Sequence, residues 1–545
     1  MVWLVGACSA GVSHGESALR LGMIQKGLWT FLSGVTLLGL GCTAPTLSGE
    51  RTVTATSRAA ALQGTGAPRR VLLITVAGLE AGDFLDPWGS VVEPGGPARM
   101  ATLSGLAREG AVGVEALPPV PGATYTSHAT LATGKVPNGH GVIADFLIDE
   151  SGTREQPFWD SRLLRGSAIW DAAVGRGVVS LGWPTTTGAR IERIVPDLES
   201  DTAGGDWREA VRRFTTPGLM KRLDDLAQAA GEDTKRAPAA WPTPAEKDAA
   251  FAELTCEMIR SGQDASLWLL RFSQSASAQD LGGKGSLAER AALAAIDGEI
   301  GQILGCFDEA EMLSDTAIFV VGDVAYQAVH TRVDPNVALV REGLIGRDPR
   351  SSTGVRSWLA MARSQGRSAY VYARDAGNAV AARSVLEAEA ERTRAFEVVS
   401  AKALAEVGGD SQAWFGLVAT PGFEIGNQLA GPLLRPATRR AAPGGIRLDA
   451  TDIGEAVGFL AWGRGIRTEI RLPLVDLKDI APTIGSLLGL RLDGNVDGKP
   501  ILGLLRAAVP APPPGPTRIG GGNESGDPDR ALRDLGGGRP LGGER

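Results

Sequence analysis

Histidine is scarce in this chain. It has four among 545 residues: His14, His128, His140 and His330. So few do not readily build a histidine-rich metal centre. Cysteine is as rare. Four residues exclude a disulfide scaffold, and none stands in the paired CxxC spacing of a structural zinc site. Positive charge is also short, with 55 Lys and Arg against 62 Asp and Glu, a net charge of −7 and a pI near 5.5. A mildly acidic chain lacks the clustered basic residues that nucleic-acid backbone requires, so no nucleic-acid partner is expected. What is present is globular: 43% apolar and 21% charged residues. The length accommodates one large α/β domain or two to four smaller ones.

The two ends differ from the middle. Lys26 followed by the apolar run Leu28–Leu40 has signal-peptide form and is too short for a comfortable membrane span. The run closes on Leu38-Gly39-Leu40-Gly41-Cys42, which resembles a bacterial lipobox with leucine at the fourth and second positions before Cys42 but not the third. The expectation is a leader over residues 1–42 with its start at Met23, which places His14 outside the mature protein. Cys42 is then the lipidation site, anchoring an exported cell-envelope lipoprotein to the membrane in the periplasm or at the outer membrane. Plain secretion and a cytoplasmic chain are the alternatives. Residues 43–68 read as a Thr-, Ser-, Ala- and Gly-rich linker, and residues 506–545, dense in Pro and Gly, as a disordered tail. No internal repeat is found.

Between these ends, continuous apolar runs alternate with amphipathic stretches. The runs at Val71–Val76, Val178–Gly182, Ser266–Phe272, Thr316–Gly322, Ala369–Ala373, Trp414–Ala419 and Val457–Trp462 predict strands. Helices are predicted at Ala98–Glu109, Ala168–Arg176, Ala245–Arg260, Leu287–Gly305, Asn378–Arg392 and Leu477–Leu488. Apolar strands separated by helices imply a sheet buried on both faces, hence a doubly wound α/β fold over residues 69–505. Ligands bind such folds at the carboxyl ends of the strands. Residues 203–250 break the alternation and read as an insertion, or cap, over that end.

Three segments carry chemistry. The first is Arg70-Val71-Leu72-Leu73-Ile74-Thr75-Val76-Ala77-Gly78-Leu79, a strand running into a tight turn. The second is Gly122-Ala123-Thr124-Tyr125-Thr126-Ser127-His128, continued by Val136-Pro137-Asn138-Gly139-His140-Gly141-Val142. The third is Val320-Val321-Gly322-Asp323-Val324. In this order they resemble the alkaline phosphatase superfamily, specifically its type I phosphodiesterase/nucleotide pyrophosphatase branch. Ile169-Trp170-Asp171, Gly182-Trp183-Pro184, Phe459-Leu460-Ala461-Trp462-Gly463 and Asp479-Ile480-Ala481-Pro482-Thr483 extend the likeness to nearly all of residues 69–505.

The resemblance implies an alkaline-phosphatase-like fold and phosphoryl transfer at a pair of zinc ions, with a Thr or Ser at a helix N-terminus attacking phosphorus. Thr124 falls at the nucleophile position; as a residue type it is equally a helix N-cap. The positions the family fills with metal ligands are mostly changed. They fall on Ala77, on Ala276 and Asp280, on Asp323 and Val324, and at about Gly444. Asp323 keeps a ligand, and Asp280 offers a changed oxygen ligand. The family's phosphate-binding Asn aligns with Asp145, whose carboxylate repels a phosphate unless protonated or paired. His128 and His140 do not stand at ligand positions and read as core residues. His330 reads as a loop residue or a displaced ligand. Glu80, Asp83 and Asp86 are oxygen donors suited to a single divalent metal such as Mg²⁺ or Ca²⁺. Cys256 and Cys306 allow either a disulfide or two buried thiols.

Threonine is a weak nucleophile without a base or metal. The leading expectation is therefore a catalytically impaired member of the family, a pseudoenzyme holding a phosphate ester, a related small ligand or a partner in the old cleft. An active phosphoric ester hydrolase using Thr124 with one metal or rearranged ligands, and an envelope structural protein, are the alternatives.

Overall fold

The computed structural model describes residues 53–506 except 54, 65, 87–98, 149–154, 198–206, 230–242, 352, 446–455 and 493. The leader, the lipobox-like Cys42, the first ten residues of the linker, parts of the insertion and all but the first residue of the tail lie outside the described residues.

Eight strands form the central sheet: β1 (Arg70–Val76), β2 (Ala111–Leu117), β3 (Val178–Leu181), β4 (Arg193–Val195), β5 (Leu267–Phe272), β6 (Thr316–Gly322), β7 (Val457–Gly463) and β8 (Ile470–Asp476). Their spatial order is β8-β2-β7-β6-β1-β5-β3-β4. Every pairing is parallel except the two made by β7. β1 lies in the middle, and all seven of its residues are buried. Side chains alternate across a strand, so its Leu72, Ile74 and Val76 face one layer and Val71 and Leu73 the other.

The first layer holds helices α1 (Ala101–Glu109), α3 (Pro244–Arg260) and α5 (Leu287–Glu309), which contribute Leu103, Phe251 and Ile300 to the shared core. The second holds α2 (Thr124–Thr133) and α6 (Ile480–Leu488), which contribute Leu131 and Ile484. Each such buried side chain stabilises the fold by about 1.5–3 kcal/mol. A further helix, α4 (Gln274–Gly282), follows β5 directly. Local chemistry sets the helix starts. Thr243 and Glu246 exchange side-chain bonds to each other's backbone N–H as a capping box ahead of α3, and Ser286 caps α5 by accepting from the Glu289 N–H.

Three expectations are corrected. The runs at Ala369–Ala373 and Trp414–Ala419 do not join the central sheet. They lie in a separate antiparallel sheet of Ala360–Gln365, Ser368–Ala373, Phe415–Ala419 and Phe396–Ser400. The two-residue turn Gly366-Arg367 pairs Gln365 with Ser368, and a turn that short can only join antiparallel strands. The helix predicted at Ala168–Arg176 shrinks to Ile169–Ala172, because Gly175 takes a left-handed conformation (φ +80) soon after it. The linker assigned to 43–68 includes a helix, Ala55–Gln63, with Ala61 fully buried against the first layer. Its alanines are strong helix formers, which the Thr- and Ser-rich composition around them masked. All the described residues belong to one compact unit, Glu50–Arg545.

Candidate active site

The carboxyl ends of β1, β5, β6 and β4 bring together the Ala77-Gly78 turn, Arg271, Asp323 and Asp197. Thr124, half-buried, is the first residue of α2. The N-cap is Ala123, whose side chain makes no capping bond, so the capping role open to Thr124 is not the one it takes. A carboxylate supplies the cap instead. Asp145 Oδ1 accepts the Tyr125 N–H at 2.8 Å, and the Asp145 N–H donates to Gln365 Oε1 at 3.1 Å. The helix N-terminus, where partial positive charge gathers, already holds an anion from the chain itself.

The two histidines of this region are structural. His128 is fully buried. Its Nδ1 lies 2.7 Å from the Thr124 carbonyl oxygen, which can only accept, so Nδ1 carries the proton. Its Nε2 then accepts from Thr75 Oγ1 at 2.8 Å, and the ring stands edge-on to Trp183. Burial, opposed by Asp323, holds the ring down to about 4, so it is neutral at pH 7. His140 accepts the Val142 N–H at Nδ1 and meets Thr130 Oγ1 through Nε2. Burial holds it down to about 3. One histidine thus ties α2 to β1, and the other ties α2 to the turn that follows it.

The positions where the family resemblance would place metal ligands hold the following residues. Ala77 offers only its carbonyl oxygen, which accepts from Ser275 Oγ at 2.5 Å. Val324 packs with Tyr326 and Ala441 in a small apolar cluster, and Ala276 lies against it. Gly444 adopts φ +73, and a Cβ there would stand 2.5 Å from the Gln365 carbonyl oxygen and 3.1 Å from that of Gly122. No side chain fits without backbone movement, a histidine least of all. Asp280 lies 3.8 Å from Arg439, and burial raises its carboxyl above the usual range against that cation's pull. Asp323, fully buried, accepts the Gly78 N–H at 3.3 Å. Two metal ions of the zinc type need three or four donors each. The side chains at these positions do not fit such a pair.

A cationic side chain stands beside Asp323. Arg271 Nε lies 3.7 Å from Asp323 Oδ2, while its Nη1 donates to Asp197 Oδ2 at 3.1 Å. Lys247, from α3, lies 3.6 Å from the other Asp197 oxygen. All four side chains are nearly or wholly removed from solvent. Burial pushes the Asp197 carboxyl up, but Arg271 and then Lys247 outweigh it, leaving it below the usual range. Sequence reasoning missed Arg271, Asp197 and Lys247. The one signal was Arg271 itself, a charge inside the otherwise apolar run Leu267–Phe272.

The remaining candidates have partners of their own. Glu80 pairs with Lys284 at 2.5 Å and Asp83 with Arg99 at 2.9 Å. Asp86 also has its own partners. Burial raises both the Glu80 and Asp83 carboxyls despite those cations. His330 is exposed on a strand, Tyr326–Val333, not in a loop, with Nδ1 2.8 Å from Thr331 Oγ1 and its ring against Phe423. Among the described residues no cluster of three or more His, Cys, Asp and Glu side chains is placed to hold a metal. Cys256 and Cys306 form a disulfide joining α3 to α5.

Comparison with known proteins places this geometry. No curated protein sequence matches the chain significantly. Among solved structures, human ectonucleotide pyrophosphatase/phosphodiesterase 5 superposes with a TM-score of 0.55 at 14% identity, covering 80% of this chain and 100% of that one. At that identity the match speaks for the fold, which is that of the alkaline phosphatase superfamily. The family model for type I phosphodiesterase/nucleotide pyrophosphatase matches residues 71–425. That span runs from β1 through the Thr124 turn and Asp323 to the antiparallel sheet, and the chain belongs to the type I phosphodiesterase/nucleotide pyrophosphatase family.

Proposed function

We propose that this protein is a non-catalytic member of its family, exported and anchored through Cys42, which engages a ligand or partner on the surface around Thr124. The observation that carries the reading is a fixed, buried cation between two buried carboxylates. Arg271 lies between Asp197 and Asp323, where it neutralises carboxylate charge but offers no open coordination position. Asp145 adds to this. Its carboxylate on the Tyr125 N–H puts negative charge where a phosphate would enter, and like charges disfavour that entry. The Cys256–Cys306 bridge supports export, since structural disulfides persist in oxidising compartments.

The test uses purified full-length chain. A nitrophenyl phosphodiester is expected to show no turnover above background with Zn²⁺, Mg²⁺, Mn²⁺ or Ca²⁺ supplied, and Thr124→Ala is expected to change nothing. Metal analysis is expected to find less than about one zinc per chain, given the ligand number such sites need. Turnover that Thr124→Ala abolishes would overturn the reading and establish the chain as a phosphoric ester hydrolase. Globomycin-sensitive processing, or mass spectrometry of the mature N-terminus, tests the lipidation of Cys42.

A further inference from the structure

A cavity of about 420 Å³ opens in the part of the chain that carries the antiparallel sheet, built by three segments: the hairpin around residues 347–355, the strand Ala360–Gln365 and the loop 427–430. Its polar wall is made of donors. Arg347 and Arg363 supply two guanidinium groups, and Asn427 and Gln428 supply side-chain amides. Asn427 Oδ1 accepts the Ser364 N–H at 2.9 Å, which fixes the acceptor end of that amide on the backbone and leaves its NH2 as the donor end. Among the described residues no carboxylate lines the cavity. The nearest in sequence, Asp348, accepts the Arg350 N–H at 2.9 Å. Val355, Met361 and Leu429 form a buried apolar floor.

The walls are held from below by buried polar residues. Asn336, 1% exposed, clamps the strand by donating to the Ala362 carbonyl and accepting the Ala362 N–H, both at 2.8 Å. Asp334, fully buried, accepts the Gln428 N–H at 3.0 Å and pairs with Arg435 at 2.8 Å, which fixes the loop. Two guanidinium groups on pre-positioned walls, without a carboxylate in the lining, suit an oxyanion, because planar guanidinium matches phosphate and carboxylate geometry. The volume lies at the small end of ligand sites and leaves room for a sugar-sized frame carrying an oxyanion.

We propose that this cavity binds a small oxyanion-bearing molecule: a phosphate, sulfate or carboxylate carried on a polar frame of about hexose size. The proposal draws on none of the residues around Thr124, so the two readings stand or fall separately.

Glucose 6-phosphate, inorganic phosphate and glucose are the probes, with thermal unfolding of the full chain and isothermal titration as readouts. Glucose 6-phosphate is expected to bind at millimolar concentration or better and raise the unfolding midpoint, and glucose is not. Inorganic phosphate reports the oxyanion alone; binding that the arginine variants weaken supports the site as well. Arg347→Ala and Arg363→Ala are each expected to weaken binding about tenfold, the loss of one charge-assisted contact. Arg347 is exposed, so its removal leaves the core intact, which the midpoint without ligand verifies. Arg350→Ala, outside the lining, and Thr124→Ala are expected to have no effect. Absence of binding by both phosphate probes, binding that survives both lining variants, or binding lost with Thr124→Ala would overturn the assignment.

Discussion

Replacing Arg271 by methionine removes the cation beside Asp323 while keeping an unbranched side chain in the strand. With an effective dielectric near 20, the attraction of Arg271 to Asp197 at 3.1 Å is about 5 kcal/mol, and to Asp323 at 3.7 Å slightly less. Desolvating the guanidinium offsets several kcal/mol of that sum. The variant is nevertheless expected to lose about 3–5 kcal/mol, because an uncompensated carboxylate stays buried. Asp197 keeps Lys247 at 3.6 Å, so the larger part of the loss falls on Asp323, which retains only the Gly78 N–H and a neutral His128. Urea unfolding followed by tryptophan fluorescence measures the loss. The specific check is a cycle with Asp323→Asn, which removes the stranded charge. The Arg271→Met/Asp323→Asn double variant is expected to be more stable than the two single losses predict, with a coupling of at least about 1 kcal/mol. A single-variant loss below about 1 kcal/mol, or additive losses, would refute the assignment of Arg271 as the cation that holds Asp323.

Four further outcomes follow from the same geometry. Asp145→Asn removes the carboxylate from the N-terminus of α2, so inorganic phosphate is expected to raise the unfolding midpoint of that variant through a site the parent lacks; calorimetry on an Arg347→Ala background isolates it from the arginine-lined cavity. Cys256→Ser opens a bridge closing a 50-residue separation, and chain entropy predicts a loss of about 4 kcal/mol, read by urea unfolding under non-reducing conditions. His128 and His140, held down to about 4 and about 3, contribute stability that is complete above the ordinary histidine value and is lost as pH falls toward those values. The midpoint is expected to drop between pH 6.5 and 4, and His140→Gln to flatten that slope. Glu299 runs the other way. Burial and then Asp248 raise it to about 8, so its contribution is complete below the ordinary glutamate value and fades as pH rises through about 8. Glu299→Gln is expected to stabilise the chain at pH 8.5 relative to the parent and to leave it unchanged at pH 4, as thermal scans at the two values will show.

Five strands of the central sheet, β1, β3, β5, β6 and β7, were legible because each is a short apolar run buried along its length, a pattern that survives in one dimension. β2, β4 and β8 were not, since β2 and β8 carry exposed residues and β4 is only three residues long. The two runs that left for the antiparallel sheet look the same in sequence. What diverts them is the Gly366-Arg367 turn, which decides pairing direction and is silent in hydropathy. The Ala77-Gly78 and Thr124 turns were legible because they are local and ordered as in the family. The Arg271–Asp197 contact was not, since its partners lie 74 residues apart and meet at the ends of strands separated by β3 in the sheet.

By itself, the sequence determined which atoms the centre can offer. The scarcity of histidine and the apolar or absent side chains at Ala77, Ala276, Val324 and Gly444 fix the donor chemistry in any conformation. Only the tertiary structure decided how the space and charge at these positions are handled. Val324 and Ala276 close on Tyr326 and Ala441, and the backbone around Gly444 leaves no room for a side chain. Arg271 supplies the cation beside Asp323, and Asp145 supplies the anion on α2. The physical reason is that a buried carboxylate needs a counter-charge, and a helix N-terminus an acceptor, from whichever residue the fold brings within reach.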